Sequence, residues 1–335
     1  MNIYIDSYST IYQRGGGGVP MRIARIQRGL SERSHRSVLF NKWESKLDDA
    51  DILHVFKANI DSYAEIRYAK DLGVKIVLSA VIPQEMNRRI RFGLLLKRLF
   101  KINNTYSFLK EELVSADAII AQTQKEASFI SKYYKIADNR IHIIPNGIDE
   151  SIIESYDPTI VKDIVLCVGR FDQNKNQISL IKAMRGTNIP VHFVGGAVPD
   201  EKQYYEKCLE EAKGSDNFIF HGWLQQGSTE LLQLFQRAKV CVLVSYNEIF
   251  GNAFVEGAAA GANLVVTKSL PIHEYGFPGG YYQVCPRNID DIRESVIKAY
   301  YHDVPNSLRE IAINKYSWKS VISKHIELYE SLLQH

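Results

Sequence analysis

The sequence predicts an α/β protein of two doubly wound, Rossmann-like domains, each a parallel sheet with helices on its faces, facing each other across a cleft. Three observations carry this. Short apolar runs of strand length alternate with helix-period stretches along the whole chain. The alternation pauses at 150–162, where periodicity is weak and Tyr156-Asp157-Pro158 interrupts it, and then restarts with the same architecture. A length of 335 residues accommodates two domains of ordinary size.

In the first half, strands are predicted at Asn2–Ile5, Ser37–Phe40, Ile52–Phe56, Lys75–Leu78, Ala118–Ala121 and Ile141–Ile144. Each is a short apolar run, the signature of a strand covered on both faces. Helix-period stretches between them include Met21–Arg33 and Lys125–Tyr133. In the second half, strands are predicted at Ile164–Val168, Val191–Val194, Phe218–Phe220, Val240–Val244 and Leu264–Val266. Helices are predicted at Gln177–Met184, Lys202–Ala212, Ser228–Ala238, Asn252–Ala260 and Ile289–Tyr300, and a last one at Trp318–Leu333. The expected partition is one domain over 1–155, a second over 156–315, and a closing helix in 316–335 that packs back towards the first domain.

Composition narrows the class. Apolar residues make up 45% and charged residues 24%, the balance of a globular protein, which excludes disorder, collagen and a disulfide-stapled miniprotein. The net charge of +3 hides an asymmetry: residues 1–150 hold 23 Lys and Arg against 17 Asp and Glu, and the remainder 18 against 21. Cys167, Cys208, Cys241 and Cys285 show no CxxC or other metal-ligand spacing, and Cys167 and Cys241 sit in strand-like runs, so buried reduced thiols are expected. No leader-like segment and no apolar run of roughly 20 residues is seen. The expected location is therefore cytoplasmic.

Open α/β sheets bind ligands beyond the carboxyl ends of their strands, so the loops there are where chemistry is sought. Gly15-Gly16-Gly17-Gly18 follows the first strand; it reads equally as a tight turn or as a backbone that approaches a ligand before a helix N-terminus. Gly169-Arg170 and Lys175 follow the strand at Ile164–Val168, and two cations at a strand mouth can converge on one anion such as a diphosphate. A solvated basic turn is the plain alternative. After the strand at Val240–Val244 comes Glu248-Ile249-Phe250-Gly251-Asn252-Ala253, then Glu256 near the first turn of a small-residue helix. Free amides of Gly251, Asn252 and Ala253 would form an anion site. Glu248 and Glu256 would accept from polyol hydroxyls on either side of it. A nucleotide sugar has that chemistry; otherwise Glu256 caps its helix and Glu248 faces water.

The ordered set of motifs resembles the retaining GT-B glycosyltransferases of family 4. Glu248-x7-Glu256 is similar to the family's paired glutamates and Gly169-Arg170-x4-Lys175 to its diphosphate-binding pair. Gly17-Gly18, Asp51-Ile52-Leu53-His54-Val55, Ile144-Pro145-Asn146-Gly147-Ile148-Asp149, Phe220-His221-Gly222-Trp223-Leu224 and Tyr316-Ser317-Trp318 fall in the family's order over nearly the whole chain. The resemblance implies a GT-B fold, an acceptor-binding first domain and a donor-binding second one. It implies a hexosyltransferase that uses a nucleoside diphosphate sugar, a UDP-sugar first and GDP-mannose second, in bacterial surface polysaccharide or lipopolysaccharide synthesis. Arg170 and Lys175 would neutralise the leaving diphosphate, Glu248 would hold donor-sugar hydroxyls, and Glu256 the ribose. Gly16, Gly17, Gly18, Gly169, Gly222, Leu224, Phe250, Gly251, Asn252 and Ala253 would complete the donor site, with the glycine loop closing over the donor. A catalytically silent partner subunit and a sugar phosphorylase are the alternatives on this fold.

One departure stands out. Many family members carry a histidine after the fourth strand; here Val81 is nearest to its place. Asp49-Ala50-Asp51 has the DxD form of a metal–diphosphate motif, but it precedes its strand, so no essential metal or cofactor is expected. His54 closes an apolar run and reads as a core histidine, while His273-Glu274 is open to either reading. Residues 86–102 interleave Arg88, Arg89, Arg91, Lys97, Arg98 and Lys101 with Ile90, Phe92, Leu94, Leu95, Leu96, Leu99 and Phe100. That pattern suits peripheral contact with an anionic membrane and a lipid-linked or glycan acceptor, or an ordinary helix with a solvated basic face. No nucleic-acid recognition module is seen.

Overall fold

The computed structural model describes residues 1–11, 18–57, 60–82 and 87–334. The chain divides into two compact units, one of residues 1–146 with 318–335 and one of residues 147–317.

The first unit holds β1 (Asn2–Ser7), α1 (Gly18–Ser31), β2 (Arg36–Leu39), β3 (Ile52–Phe56), α2 (Tyr63–Asp71), β4 (Lys75–Ser79), α3 (Asn87–Phe100), α4 (Thr105–Ser115), β5 (Ala118–Ala121), α5 (Gln124–Tyr134) and β6 (Ile141–Ile143). Its six strands are all parallel in the order β2-β1-β3-β4-β5-β6. β3 is buried at every residue because helices cover both faces. One face packs Leu53, Val55, Ile76 and Leu78 against Ile66 and Ala69 of α2 and Ile130 of α5. The other packs Ile3, Ile5, Ile52 and Val77 against Ile23 and Ile26 of α1 and against Trp318, Val321 and Ile322 near the chain end.

The second unit continues with α6 (Glu150–Glu154), β7 (Ile164–Val168), α7 (Gln177–Met184), β8 (Val191–Val194), α8 (Lys202–Ala212), β9 (Phe218–Phe220), α9 (Thr229–Arg237), β10 (Ala238–Leu243), α10 (Asn252–Ala259), β11 (Asn263–Thr267), β12 (Tyr281–Val284), α11 (Ile289–Tyr301) and α12 (Asn306–Tyr316); α13 (Trp318–Leu333) belongs to the first unit. Its six parallel strands run β12-β11-β10-β7-β8-β9, the doubly wound order in which the chain reverses direction between β7 and β10.

The expected strands are all present, with ends shifted by a residue or two. β12 is additional. It is a half-buried edge strand after Pro278-Gly279-Gly280, and its mixed Tyr-Tyr-Gln-Val run does not stand out as apolar. The stretch 150–162, where the sequence alternation pauses, opens with the single turn of α6, capped by the Asp149 carboxylate on the Ser151 amide. Cys167, Cys208 and Cys241 are buried and Cys285 half-buried, all unpaired with one another. Burial pushes the thiols of Cys167 and Cys241 up to about 12. His54 is fully buried, bonded to Tyr329 Oη at 2.7 Å and Ser79 Oγ at 2.9 Å, as expected of a core histidine. Asp51 takes the Asn2 amide at 2.7 Å. Among the described residues no helix is long and apolar enough to cross a membrane.

Candidate functional site at the switch point of the second sheet

β7 and β10 are neighbours whose following connections leave the sheet in opposite directions, so their carboxyl ends open a crevice. The loop after β7 carries Gly169, Arg170 and Lys175; the loop after β10 carries Glu248 and Gly251. Asn174 staples the two. Its Nδ2 donates to Asn247 O at 3.0 Å, its Oδ1 accepts from Asn247 N at 3.1 Å, and its carbonyl accepts from Tyr246 N at 2.8 Å. Asn176, buried with φ +58°, donates to Val244 O at 3.1 Å and Pro286 O at 2.8 Å. Asparagine tolerates that left-handed backbone better than most residues. α7 starts directly after it.

Across this staple Lys175 Nζ lies 2.5 Å from Glu248 Oε1, with the side chains 22% and 10% exposed. The two predicted cations do not share one carboxylate. Arg170 Nε instead pairs with Asp172, whose other oxygen accepts the Lys175 amide at 2.8 Å. Arg170 is the more open of the two, at 57% side-chain exposure. Asp172 therefore fixes both the Arg170 fork and the backbone turn that presents Lys175.

Gly251 caps α10 in the left-handed region at φ +74°, and a Cβ there would press on Phe254 and Leu243. α10 buries Phe254, Val255, Gly257, Ala258 and Ala259 and leaves Asn252, Ala253 and Glu256 half-buried on one side. Glu256 is the fifth residue of this helix, in its second turn rather than its first; Asn252 and Glu256 stand one turn apart. Phe250 places its ring in the core with Tyr275 and Tyr316, so only its backbone borders the crevice; its carbonyl accepts from Tyr275 Oη at 2.7 Å.

Glycines line the floor. Gly195, at φ +123° after β8, donates its amide to Gly222 O at 2.7 Å, and a Cβ on it would lie 2.1 Å from Gly169 O. Gly222 has φ +68° and Leu224 packs half-buried against the second unit's core. Gly18 opens α1 in the first unit. Gly16 and Gly17 lie outside the described residues.

Asp172, Asn174, Asn176, Gly195 and Asn247 are absent from the sequence-based set. The Gly195-Gly196 pair straight after a strand was a readable signal; the asparagine staple was not, since it joins loops far apart in sequence. Buried Gln177 Oε1 and Ser245 Oγ at this end of the sheet have no hydrogen-bond partner among the described residues. A pocket of about 330 Å³ opens beside the loops, lined by Gln173, Asn176, Tyr204 and Tyr246 among others. Val81, at the carboxyl end of β4, has φ +47°, unusual for a β-branched residue. His273 is exposed, on the short helical turn Ile272–Tyr275 that follows β11. Among the described residues no group of three or more His, Cys, Asp or Glu converges as a metal centre.

The chain matches two family models, "Glycosyl transferases group 1" over residues 151–318 and "Glycosyltransferase Family 4" over residues 18–152. It is 23% identical over 256 residues to a lipopolysaccharide 1,2-N-acetylglucosaminetransferase of Salmonella typhimurium, 68% of this chain and 65% of that one. Two other curated relatives are matched over 42% and 54% of their length, so the chain spans about half to two thirds of the relatives it resembles. Among solved structures it is similar to sucrose-phosphate synthase of Thermosynechococcus elongatus, at TM-score 0.77 and 14% identity with both chains covered fully. It is also similar to HepE of Anabaena in complex with UDP and glucose, at TM-score 0.73 and 14% identity over 99% of this chain and 100% of that one. These two likenesses give the fold, GT-B.

Proposed function

The chain belongs to the group 1 glycosyl transferases of family 4, and on that premise we propose that it transfers a sugar, with retention at the anomeric carbon, from a nucleoside diphosphate sugar to a glycan or lipid-linked acceptor. The observation that carries the reading is the Lys175–Glu248 pair at the switch point of the second sheet. A diphosphate brought there meets Lys175 and the open guanidinium of Arg170, and Glu248 is released to accept from donor-sugar hydroxyls. The amides of Gly251, Asn252 and Ala253 at the start of α10 face the phosphate, and Glu256, on the same half-buried side, takes the ribose hydroxyls. Gly169, Gly195 and Gly222 let backbone approach the nucleotide. Leaving-group charge rises in the transition state, so cations and amides fixed in advance are the main source of acceleration.

A UDP-sugar is the favoured donor and GDP-mannose the second. The Anabaena HepE structure is a complex with UDP and glucose, which supports the first choice. The Salmonella relative, a lipopolysaccharide transferase, supports a surface-polysaccharide acceptor.

The acceptor side of the reading includes the membrane. α3 exposes Phe92, Leu95, Leu99 and Phe100, with Ile102 following, beside the exposed cations Arg88, Arg89, Arg91, Arg98 and Lys101. Apolar side chains interleaved with cations on one helix suit shallow insertion into an anionic bilayer, where a lipid-linked acceptor resides.

A thermal-shift panel of nucleotide sugars on the whole chain tests the donor assignment. A bound ligand raises apparent stability by mass action. A selective shift with UDP-sugars supports it, a shift with GDP-mannose alone moves the donor to the second choice, and no shift with any nucleotide refutes the site.

A further inference from the structure

A second polar cluster sits at the carboxyl end of the first sheet and is unused by the donor site. β1 lies between β2 and β3, where that sheet's strand order reverses, and it ends in Asp6-Ser7. Strand alternation puts Asp6 on the same face as Tyr4, and the Tyr4 ring stacks on Phe40 at 5.8 Å. Phe40, Lys42, Glu65 and Tyr68 line a cavity of about 590 Å³ between the segment after β2 and α2.

Asp6 is only 7% exposed and its Oδ2 has no hydrogen-bond partner among the described residues. Glu65 holds Lys42 Nζ at 2.6 Å through Oε1, while its Oε2 is buried and has no hydrogen-bond partner among the described residues. Asp61, which accepts from Ser9 N at 3.1 Å and Ser9 Oγ at 2.9 Å, is close enough to act on Asp6 electrostatically, as are Lys42 and Glu65. Burial pushes the Asp6 carboxyl up to about 6, against the Ser7 amide and Lys42. Buried acceptors left without donors are unfavourable and rare in folded proteins.

The chemistry selects the ligand. The cavity wall sets Lys42 and Lys46 against Asp48 and Glu65, with Asp6 and Asp61 close by, so it offers an anion no surplus of positive charge. On its wall the Glu65 carboxylate has an oxygen without a donor, Lys42 offers a donor in return, and Phe40 and Tyr68 contribute aromatic rings. A neutral sugar ring supplies hydroxyls on its rim and C–H groups on its face. We propose that this cavity is a subsite for one sugar ring of the acceptor glycan. The assignment rests on reading the chain as a glycosyltransferase.

The test is saturation-transfer NMR on the whole chain with methyl α-glucoside, methyl β-galactoside and methyl α-mannoside, in the presence and absence of UDP. The expected result is transfer to at least one glycoside, unchanged by UDP, and weakened about tenfold by Glu65→Gln, the size of one lost hydrogen bond to a charged group. Tyr68→Ala, at a ring 59% exposed and so harmless to folding, reduces it as well. No transfer to any glycoside, or transfer untouched by both variants, overturns the subsite. UDP binding is read in the same samples: glycoside failure with UDP bound removes the subsite alone, while UDP failure removes the donor reading.

Discussion

Lys175 Nζ and Glu248 Oε1 lie 2.5 Å apart, although the two residues are 73 positions apart in sequence. They meet because β7 and β10 are adjacent strands whose loops diverge, and because Asn174 ties one loop to the other. The pair joins a cation and a carboxylate, each mostly shielded from water.

Without ligand, the pair is expected to contribute to stability. Lys175→Ala and Glu248→Ala each leave a shielded charge without its partner. In urea unfolding, a double-mutant cycle should give a coupling of about 0.5–3 kcal/mol. Additive single effects would show that the pair is a proximity without energy.

Stability is expected to fall on acidification. Burial lowers His54 well below its ordinary value, with His325 and Arg22 adding to the effect, and lowers His325 to about 3, with Arg22 adding. The unfolded histidines titrate near 6.5, so below that pH the unfolded state takes up protons that the folded state refuses. Stability present above 6.5 is therefore lost as pH falls towards 3. Asp6, raised to about 6 by burial, works oppositely: it adds stability below 3.8 that is lost as pH rises through 6. His35, His142 and His192 are lowered by burial as well, and Glu126 is raised by it like Asp6, so five histidines against two carboxyls leave the acid loss dominant. His325→Gln should flatten the pH profile of the urea-derived unfolding free energy between pH 6 and 4 by about 1.4 kcal/mol per pH unit. An unchanged slope would contradict the buried neutral histidine.

Two glycine replacements should separate crowding from backbone strain. Gly195→Ala places a Cβ 2.1 Å from Gly169 O and must displace the loop that carries Arg170. Gly222→Ala meets nothing within 4 Å and carries only its φ of +68°. The second should cost about 1–2 kcal/mol, and the first clearly more, with weakened nucleotide binding besides. Thermal melts and UDP titration of both variants check this; equal effects would refute the crowded floor.

α3 gives a surface prediction. The chain should co-sediment with anionic vesicles at low salt and release as salt rises, since each Lys or Arg near such a surface contributes on the order of 1 kcal/mol. Arg91→Glu with Arg98→Glu should abolish sedimentation, and Phe92→Ser with Leu99→Ser should reduce it; all four side chains are exposed. No sedimentation of the unaltered chain at low salt would rule out the membrane contact.

The sequence made the fold legible because buried parallel strands are short apolar runs that punctuation separates, as at Ile52–Phe56 and Ile164–Val168. It missed β12 because an edge strand mixes polar and apolar residues. It singled out Arg170, Lys175, Glu248 and Glu256 because they follow strands in a recognisable order. It did not find that Arg170 pairs with Asp172, or that Asn174 joins two loops, since those relations exist only once β7 and β10 are neighbours. It placed Phe250 at the ligand by motif, whereas the ring is core. The charge asymmetry is also sharper: the first half is basic through α3, yet at the end of β1 the carboxyls of Asp6, Asp61 and Glu65 gather near Lys42.

The most direct test of the central claim is calorimetric titration of UDP and GDP into the whole chain and into Lys175→Ala and Arg170→Ala. Binding of one nucleotide to the unaltered chain, weakened at least about tenfold in each variant by the loss of a charge-assisted contact to phosphate, is the predicted result. Nucleotide binding of equal strength in all three proteins, or none in the unaltered chain, would contradict it.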